Sequence, residues 1–180
     1  MKEQIFIALG SNLGDRASNL LRALQLLPTW GVHIIKVSDF VETQAYGVTD
    51  QPDFLNAVAQ VETHLAPEQL LQVLLQVEKS MGRVRKRHWG ERNIDLDLLL
   101  YGRLVYQSKT LTLPHPDMLN RDFVLAPLAQ IAPDLVHPVA GKTIRQLWTE
   151  LEQRRTAPSV KKVQAAGPVP TSGGDGHPEG

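Results

Sequence analysis

The chain has 180 residues, with Lys plus Arg and Asp plus Glu balanced at 19 each, 42% hydrophobic residues and no cysteine. That length suits one domain able to bury its own core, and the charge balance gives no overall field toward nucleic acid or an anionic membrane. Without a thiol, disulfides, thiolate nucleophiles and cysteine-held metals are excluded, so any metal must sit on oxygen or imidazole.

The opening MKEQIFIALGSN has too short an apolar run for a signal peptide, and no later stretch is long and apolar enough to cross a bilayer, so a cytoplasmic location is expected. Ile5 to Leu9, closed by Gly10, has the pattern of a buried strand. Residues 10 to 16, GSNLGDR, form a glycine-bearing strand-to-helix turn that can present amides to an anion, although a tight structural turn is its simpler use. Asp15 caps a helix with Ala17, Leu20, Leu21, Leu24 and Leu27 on one face, stopped by Pro28. A second strand is expected over about His33 to Thr43 and a third from Phe54 to Thr63, with the loop QAYGVTDQPD between them.

Pro67 opens an amphipathic helix carrying Leu70, Leu71, Leu74, Val77 and Met81, ended by Gly82. IDLDLLLY is the last core strand. The order strand, helix, strand, strand, helix, strand is that of a ferredoxin-like α+β fold, a βαββαβ core with an antiparallel sheet and helices on one face. Extra C-terminal helices are expected near 121 to 131 and 143 to 153, the latter opened by a Thr143–Gln146 capping box. AGKT at 140 to 143 is not a phosphate loop, because Val136 stands where its first glycine belongs. After Arg155 the composition turns to Pro, Gly, Ser and Ala with few large apolar residues, so residues 1–154 are expected to form the domain and 155–180 a disordered tail.

Side chains alternate along a strand, so Asp95, Asp97 and Leu99 should face one way and Leu96, Leu98 and Leu100 the other. Two neighbouring carboxylates resist ionising together unless a cation lies between them, and hard oxygen donors suit Mg²⁺, which takes one or two carboxylates plus substrate phosphates. Such a pair can hold two ions about 3.5–4 Å apart around an in-line displacement at phosphorus. A DxD alone reads more simply as two solvated acids on an edge strand. The loop before it adds Arg83, Arg85, Lys86, Arg87, His88 and Arg92, cations that match polyphosphate, with Trp89 and Gly90 in a segment able to close over substrate or simply to stay solvated. Phe54 and Asn56 share a strand face and offer a flat heterocycle a stacking surface and an amide, though minor core and strand-end roles are the plainer local reading. His115 lies among prolines, where it can reach phosphate or only backbone; Arg121 and Phe123 begin a helix, where surface charge and core contact are the plain roles.

Five segments, IALGSNLGDR (7–16), DQPDFLNAV (50–58), GRVR (82–85), HWGERNIDLDLLL (88–100) and LPHPDMLNRDFVLAPL (113–128), resemble the 6-hydroxymethyl-7,8-dihydropterin pyrophosphokinases of folate biosynthesis. The resemblance implies the same ferredoxin-like fold and a kinase-type transferase that moves pyrophosphate from ATP to the hydroxymethyl dihydropterin, giving AMP and the pterin diphosphate. It implies two Mg²⁺ ions on Asp95 and Asp97, a pterin held between Phe54 and Phe123 with Asn56 at its edge, and Thr43 and Tyr46 completing the pocket. Arg83, Arg92, His115 and Arg121 take the phosphate-handling positions, Trp89 lies in the catalytic loop, and Glu78, Arg85, Lys86 and Thr112 turn toward ATP. Departures at Ala45, Thr110 and Pro116 are expected to tune ATP affinity and loop closure. The expected partners are these small molecules, with no nucleic acid and no membrane, and the protein is expected to act as a monomer. Two alternatives stay open: an RNA-binding module on a ferredoxin-like sheet, whose binding would weaken steeply with salt and ignore Asp95, and an inactive relative that keeps only the fold.

Overall fold

A computed structural model describes residues 3–43, 53–82 and 93–154. Strand β1 (Ile5–Ser11) leads through Asp15 into helix α1 (Arg16–Leu26). Asp15 caps that helix as its sequence foretells, accepting a hydrogen bond from the Ser18 amide at 3.1 Å. A 3-10 turn over Leu27–Trp30 contains Pro28 and ends in left-handed Gly31. Leu20, Ala23 and Leu27 are fully buried, but Leu21 is 50% exposed. Its expected place on the core face fails because the 3.6-residue period carries it to the solvent edge beside Arg22.

The single second strand expected over His33 to Thr43 is two strands, β2 (His33–Val37) and β3 (Val41–Thr43). Both pair with β4 (Phe54–Glu62), and between Val37↔Ala59 and Val41↔Asn56 this side carries one residue more than β4. The extra residue kinks the chain. Ser38 sits in the kink, its amide donating to Val58 O at 2.9 Å and its hydroxyl accepting from Val58 N at 3.0 Å, while Phe40 is buried.

Helix α2 (Pro67–Ser80) starts at its proline and closes on left-handed Gly82. Strand β5 (Asp95–Tyr101) follows, then the hairpin β6 (Tyr106–Gln107) and β7 (Thr112–Leu113), which forms its own two-stranded sheet. The Glu68 carboxylate of α2 accepts from the Tyr106, Ser108 and Thr110 hydroxyls at 2.6–2.8 Å and fastens this hairpin down. Helices α3 (Asp122–Ile131) and α4 (Ile144–Arg154) complete the described chain. The capping box holds: Gln146 N donates to Thr143 Oγ1 at 3.1 Å and Thr143 N to Gln146 Oε1 at 2.9 Å.

The main sheet runs β2-β4-β1-β5 with β3 also on β4, every pairing antiparallel, which is the expected ferredoxin-like core. Helices α1 and α2 cover one face through Leu20, Leu70, Leu74 and Val77 against Ile5, Ile7 and Leu9. The added helices α3 and α4 cover the other through Val124, Leu128, Leu147 and Leu151 against Phe6 and Val58. Strict alternation along β5 fails at one point. Leu96 and Leu98 face α1 and α2, whereas Leu99 and Leu100 both join the α3–α4 core. The β1–β5 register shifts between Phe6↔Leu100 and Ile7↔Leu98, so Leu99 is a bulge residue and resets the faces of the strand.

Candidate active site

Asp95 and Asp97 lie before the bulge, on the α3 side of β5, while buried Leu96 between them points into the opposite core. The register sets Asp95 opposite Gly10 and Asp97 opposite Ala8, and on the other side of β1 it sets Gly10 opposite Asn56. Ala8 and Gly10 therefore form a low floor between the acid pair and Asn56. Phe6, Ala8 and Gly10 share that face, and their falling size opens the sheet surface toward one end. Neither floor residue declares this role in the sequence; the taper is the signal, but it becomes visible only when the register is known.

At the far side of the floor, Asn56 is buried and its Nδ2 donates to Thr43 Oγ1 at 2.9 Å. Phe54 pairs with Thr43 and shares the Asn56 face. At the acid side, Arg121 stands just before α3, its guanidinium 4.0 Å from Asp97 Oδ2 and 3.5 Å from Asp117 Oδ2. The same guanidinium lies 5.6 Å from the centre of the Phe123 ring, within reach of a cation–π contact. From there α3 crosses the sheet to β2 and the kink after it, where Ile131 O accepts from Lys36 Nζ at 3.5 Å and Gln130 Oε1 accepts from Asp39 N at 2.8 Å.

His115 hangs from β5 by its amide, which donates to Leu99 O at 2.9 Å, and its ring Nδ1 accepts from Asp117 N at 3.1 Å. Accepting at Nδ1 leaves the neutral ring with its proton on Nε2. Burial, followed by the Arg121 charge, pushes its pKa below the ordinary value, against smaller opposite pulls from Asp117 and Asp95. The shift favours the neutral ring near neutral pH, with Nε2–H as its donor.

The structure gathers Asp95, Asp97, His115, Arg121 and Phe123 on one side and Thr43, Phe54 and Asn56 on the other. Glu78 and Thr112 stand apart. Glu78, expected near ATP, is buried and its Oε2 accepts from Leu96 N at 2.6 Å, so its carboxylate holds the outer edge of β5 between the two acids. Thr112 pairs with Gln107 in the separate hairpin. Tyr46, Arg83, Arg85, Lys86, Trp89 and Arg92 lie outside the described residues. The two partly exposed carboxylates on one strand face are hard oxygen donors open to solvent and substrate, the donor set that Mg²⁺ accepts.

Residues 6–133 match the family model for 7,8-dihydro-6-hydroxymethylpterin-pyrophosphokinase. The chain is 48% identical over 147 residues to the 2-amino-4-hydroxy-6-hydroxymethyldihydropteridine pyrophosphokinase of Haemophilus influenzae, across 81% of this chain and 89% of that one. It is 43% identical over 148 residues to the protein of the same name from Methylorubrum extorquens, across 82% and 92%. In fold it is similar to wild-type HPPK-DHPS of Plasmodium falciparum solved with pteroate, at TM-score 0.72 and 15% identity over 92% of this chain. The chain spans 46% of that longer solved chain.

Proposed function

The chain belongs to the 7,8-dihydro-6-hydroxymethylpterin-pyrophosphokinase family, and on that footing we propose how its sheet face performs the family reaction, pyrophosphoryl transfer from ATP to 6-hydroxymethyl-7,8-dihydropterin in folate synthesis. The observation that carries the reading is the shared floor, Gly10 and Ala8, with a carboxylate pair on one side and the Asn56–Thr43 amide–hydroxyl pair on the other.

The pterin lies over the floor, with Phe54 and Phe123 offering faces to its ring and Asn56 reading its edge. With Nδ2 committed to Thr43, Asn56 presents its Oδ1 over Gly10, where an ideal Cβ would come within 2.9 Å of it, as an acceptor for ring N–H groups. The hydroxymethyl arm then points along β1 toward Asp95 and Asp97. Those acids hold two Mg²⁺ ions, which when bound neutralise polyphosphate charge and polarise the phosphoryl group under attack. Arg121, tethered by Asp97 and Asp117, meets the phosphates with a planar fork, and His115 donates from Nε2 without adding a second positive charge. Arg83 and Arg92 complete the phosphate-handling set in this reading, with Trp89 beside them, Tyr46 on the pterin side, and Arg85, Lys86 and Thr112 toward ATP. Catalysis in this reading is mainly positioning and charge stabilisation. The catalytic domain ends near Arg154, and residues 155–180 lie outside it.

The test supplies ATP, Mg²⁺ and the hydroxymethyl dihydropterin and follows AMP and ADP separately. AMP should appear only when pterin and Mg²⁺ are both present, and Asp95→Ala or Asp97→Ala should lower turnover by roughly 10²–10³-fold or more, the scale of losing one transition-state stabiliser. ADP as the product, or full activity in both variants, would sink the reading.

A further inference from the structure

The turn GSNLGDR contributes Gly10 to the floor and Asp15 to a cap, which leaves its last residue without a role. Arg16, at the start of α1, is half-buried and grips two points distant in sequence. Its Nη1 donates to the backbone carbonyl of Asp53 at 2.7 Å, and its Nη2 lies 2.6 Å from Glu42 Oε2. Each partner stands one residue before a member of the pterin-side wall: Glu42 precedes Thr43, and Asp53 precedes Phe54. Thr43 and Phe54 are themselves a cross-strand pair.

The faces make the arrangement specific. Glu42 pairs with Leu55, which belongs to the α1–α2 core, so the Arg16 contacts lie behind the sheet while Thr43, Phe54 and Asn56 project from its front. Among the described residues β3 is three residues long and its one strand partner is β4, a short ladder with little rigidity of its own. Holding the Asp53 carbonyl fixes the peptide plane that ends at Phe54 Cα, because carbonyl, amide and both Cα atoms are coplanar. Holding Glu42 fixes the residue beside Thr43, on which the Asn56 amide depends. One planar guanidinium does both at once, whereas a lysine ammonium is a single point charge.

We propose that Arg16 is a positioning residue for the pterin half of the site, clamping β3 to the entry of β4 from the reverse face of the sheet and so setting the spacing between Phe54 and the Thr43–Asn56 pair. The proposal rests on the pyrophosphoryl-transfer reading above and adds to it a determinant of pterin binding that touches no substrate.

The experiment uses the full chain and its Arg16→Lys and Glu42→Gln variants, measuring KM and dissociation constants for 6-hydroxymethyl-7,8-dihydropterin and for Mg-ATP separately, with thermal midpoints alongside. Arg16→Lys should raise the pterin constants about tenfold, the scale of a charge-assisted hydrogen bond, and leave those for ATP within about twofold. Glu42→Gln, which keeps shape and removes only charge, should move the pterin constants the same way by a smaller factor. Pterin constants within about twofold of wild type in both variants would overturn the proposal. So would parallel losses of ATP and pterin binding with a falling midpoint, the mark of a general folding role. Wild-type protein that forms no pterin-dependent AMP would overturn the functional reading and this proposal together, whereas an active wild type with indifferent variants removes this proposal alone.

Discussion

Gly10 is the residue at which the two halves of the site meet, since it faces Asn56 across one ladder and Asp95 across the other. Its backbone is not in the left-handed region; what glycine provides here is space. A Cβ at this position would lie 2.9 Å from Asn56 Oδ1 and 3.7 Å from the Phe54 ring, and Asn56 is held by Thr43. Gly10→Ala should therefore displace the Asn56 amide and cover part of the floor, raising the pterin KM by about tenfold or more while the ATP KM moves little, since misplacement near 1 Å is enough to cost such factors. Steady-state kinetics with each substrate varied in turn checks this, and equal KM values for mutant and wild type would mean that the pterin does not cross the floor. The acids and Asn56 are legible in the sequence because a spacing of two places residues on one strand face. Gly10 and Ala8 are not, because their meaning lies in which residues sit opposite them on two other strands.

Element by element, what could be read locally is what is settled locally. Asp15, Pro67 and the Thr143–Gln146 pair mark helix starts because capping is chemistry between residues a few positions apart. The kink at Ser38 and the bulge at Leu99 escape such a reading, since each exists only against a partner strand that carries one residue fewer. The same holds for Glu78, whose place in the α2 pattern gives no hint that its carboxylate accepts from the Leu96 amide. β5 is an edge strand, so that amide points away from β1 and would otherwise be buried without a protein acceptor. Glu78→Ala should thus lower unfolding stability by about 1–3 kcal/mol, the cost of orphaning a buried donor, and reduce kcat through displacement of Asp95 and Asp97. Urea denaturation read beside ATP kinetics separates this from the expected ATP contact, whose loss would raise the ATP KM and leave the denaturation midpoint in place.

Two helical layers enclose the sheet, and they serve the site differently. The α1–α2 layer is the ferredoxin-like core, whereas the α3–α4 layer carries Arg121 and Phe123 at the start of α3 and keeps α3 stretched across the sheet. That second layer depends on the turn between its helices, where buried His137 acts as a staple: its Nδ1 accepts from Val139 N at 3.2 Å and Ala140 N at 3.0 Å, and its amide donates to Lys142 O at 2.9 Å. Protonating Nδ1 would replace an acceptor with a donor facing two amide donors, and burial already lowers the pKa of His137 below its ordinary value of 6.5. A depressed folded-state pKa means that the unfolded chain binds the proton first, so stability falls as pH drops through about 6.5 and continues to fall until the folded-state value is passed. His115 is shifted in the same direction and adds to the slope, so the contribution of His137 must be read as a difference between two proteins. His137→Gln should be less stable than wild type near pH 8, and the gap should narrow as pH falls from about 7 to about 5, before most carboxylates titrate. Chemical denaturation of both proteins across that range measures the gap directly. A gap that stays constant with pH would show that His137 holds the turn by shape alone, and the α3–α4 layer would then keep Arg121 over the acids at low pH as firmly as at neutral pH.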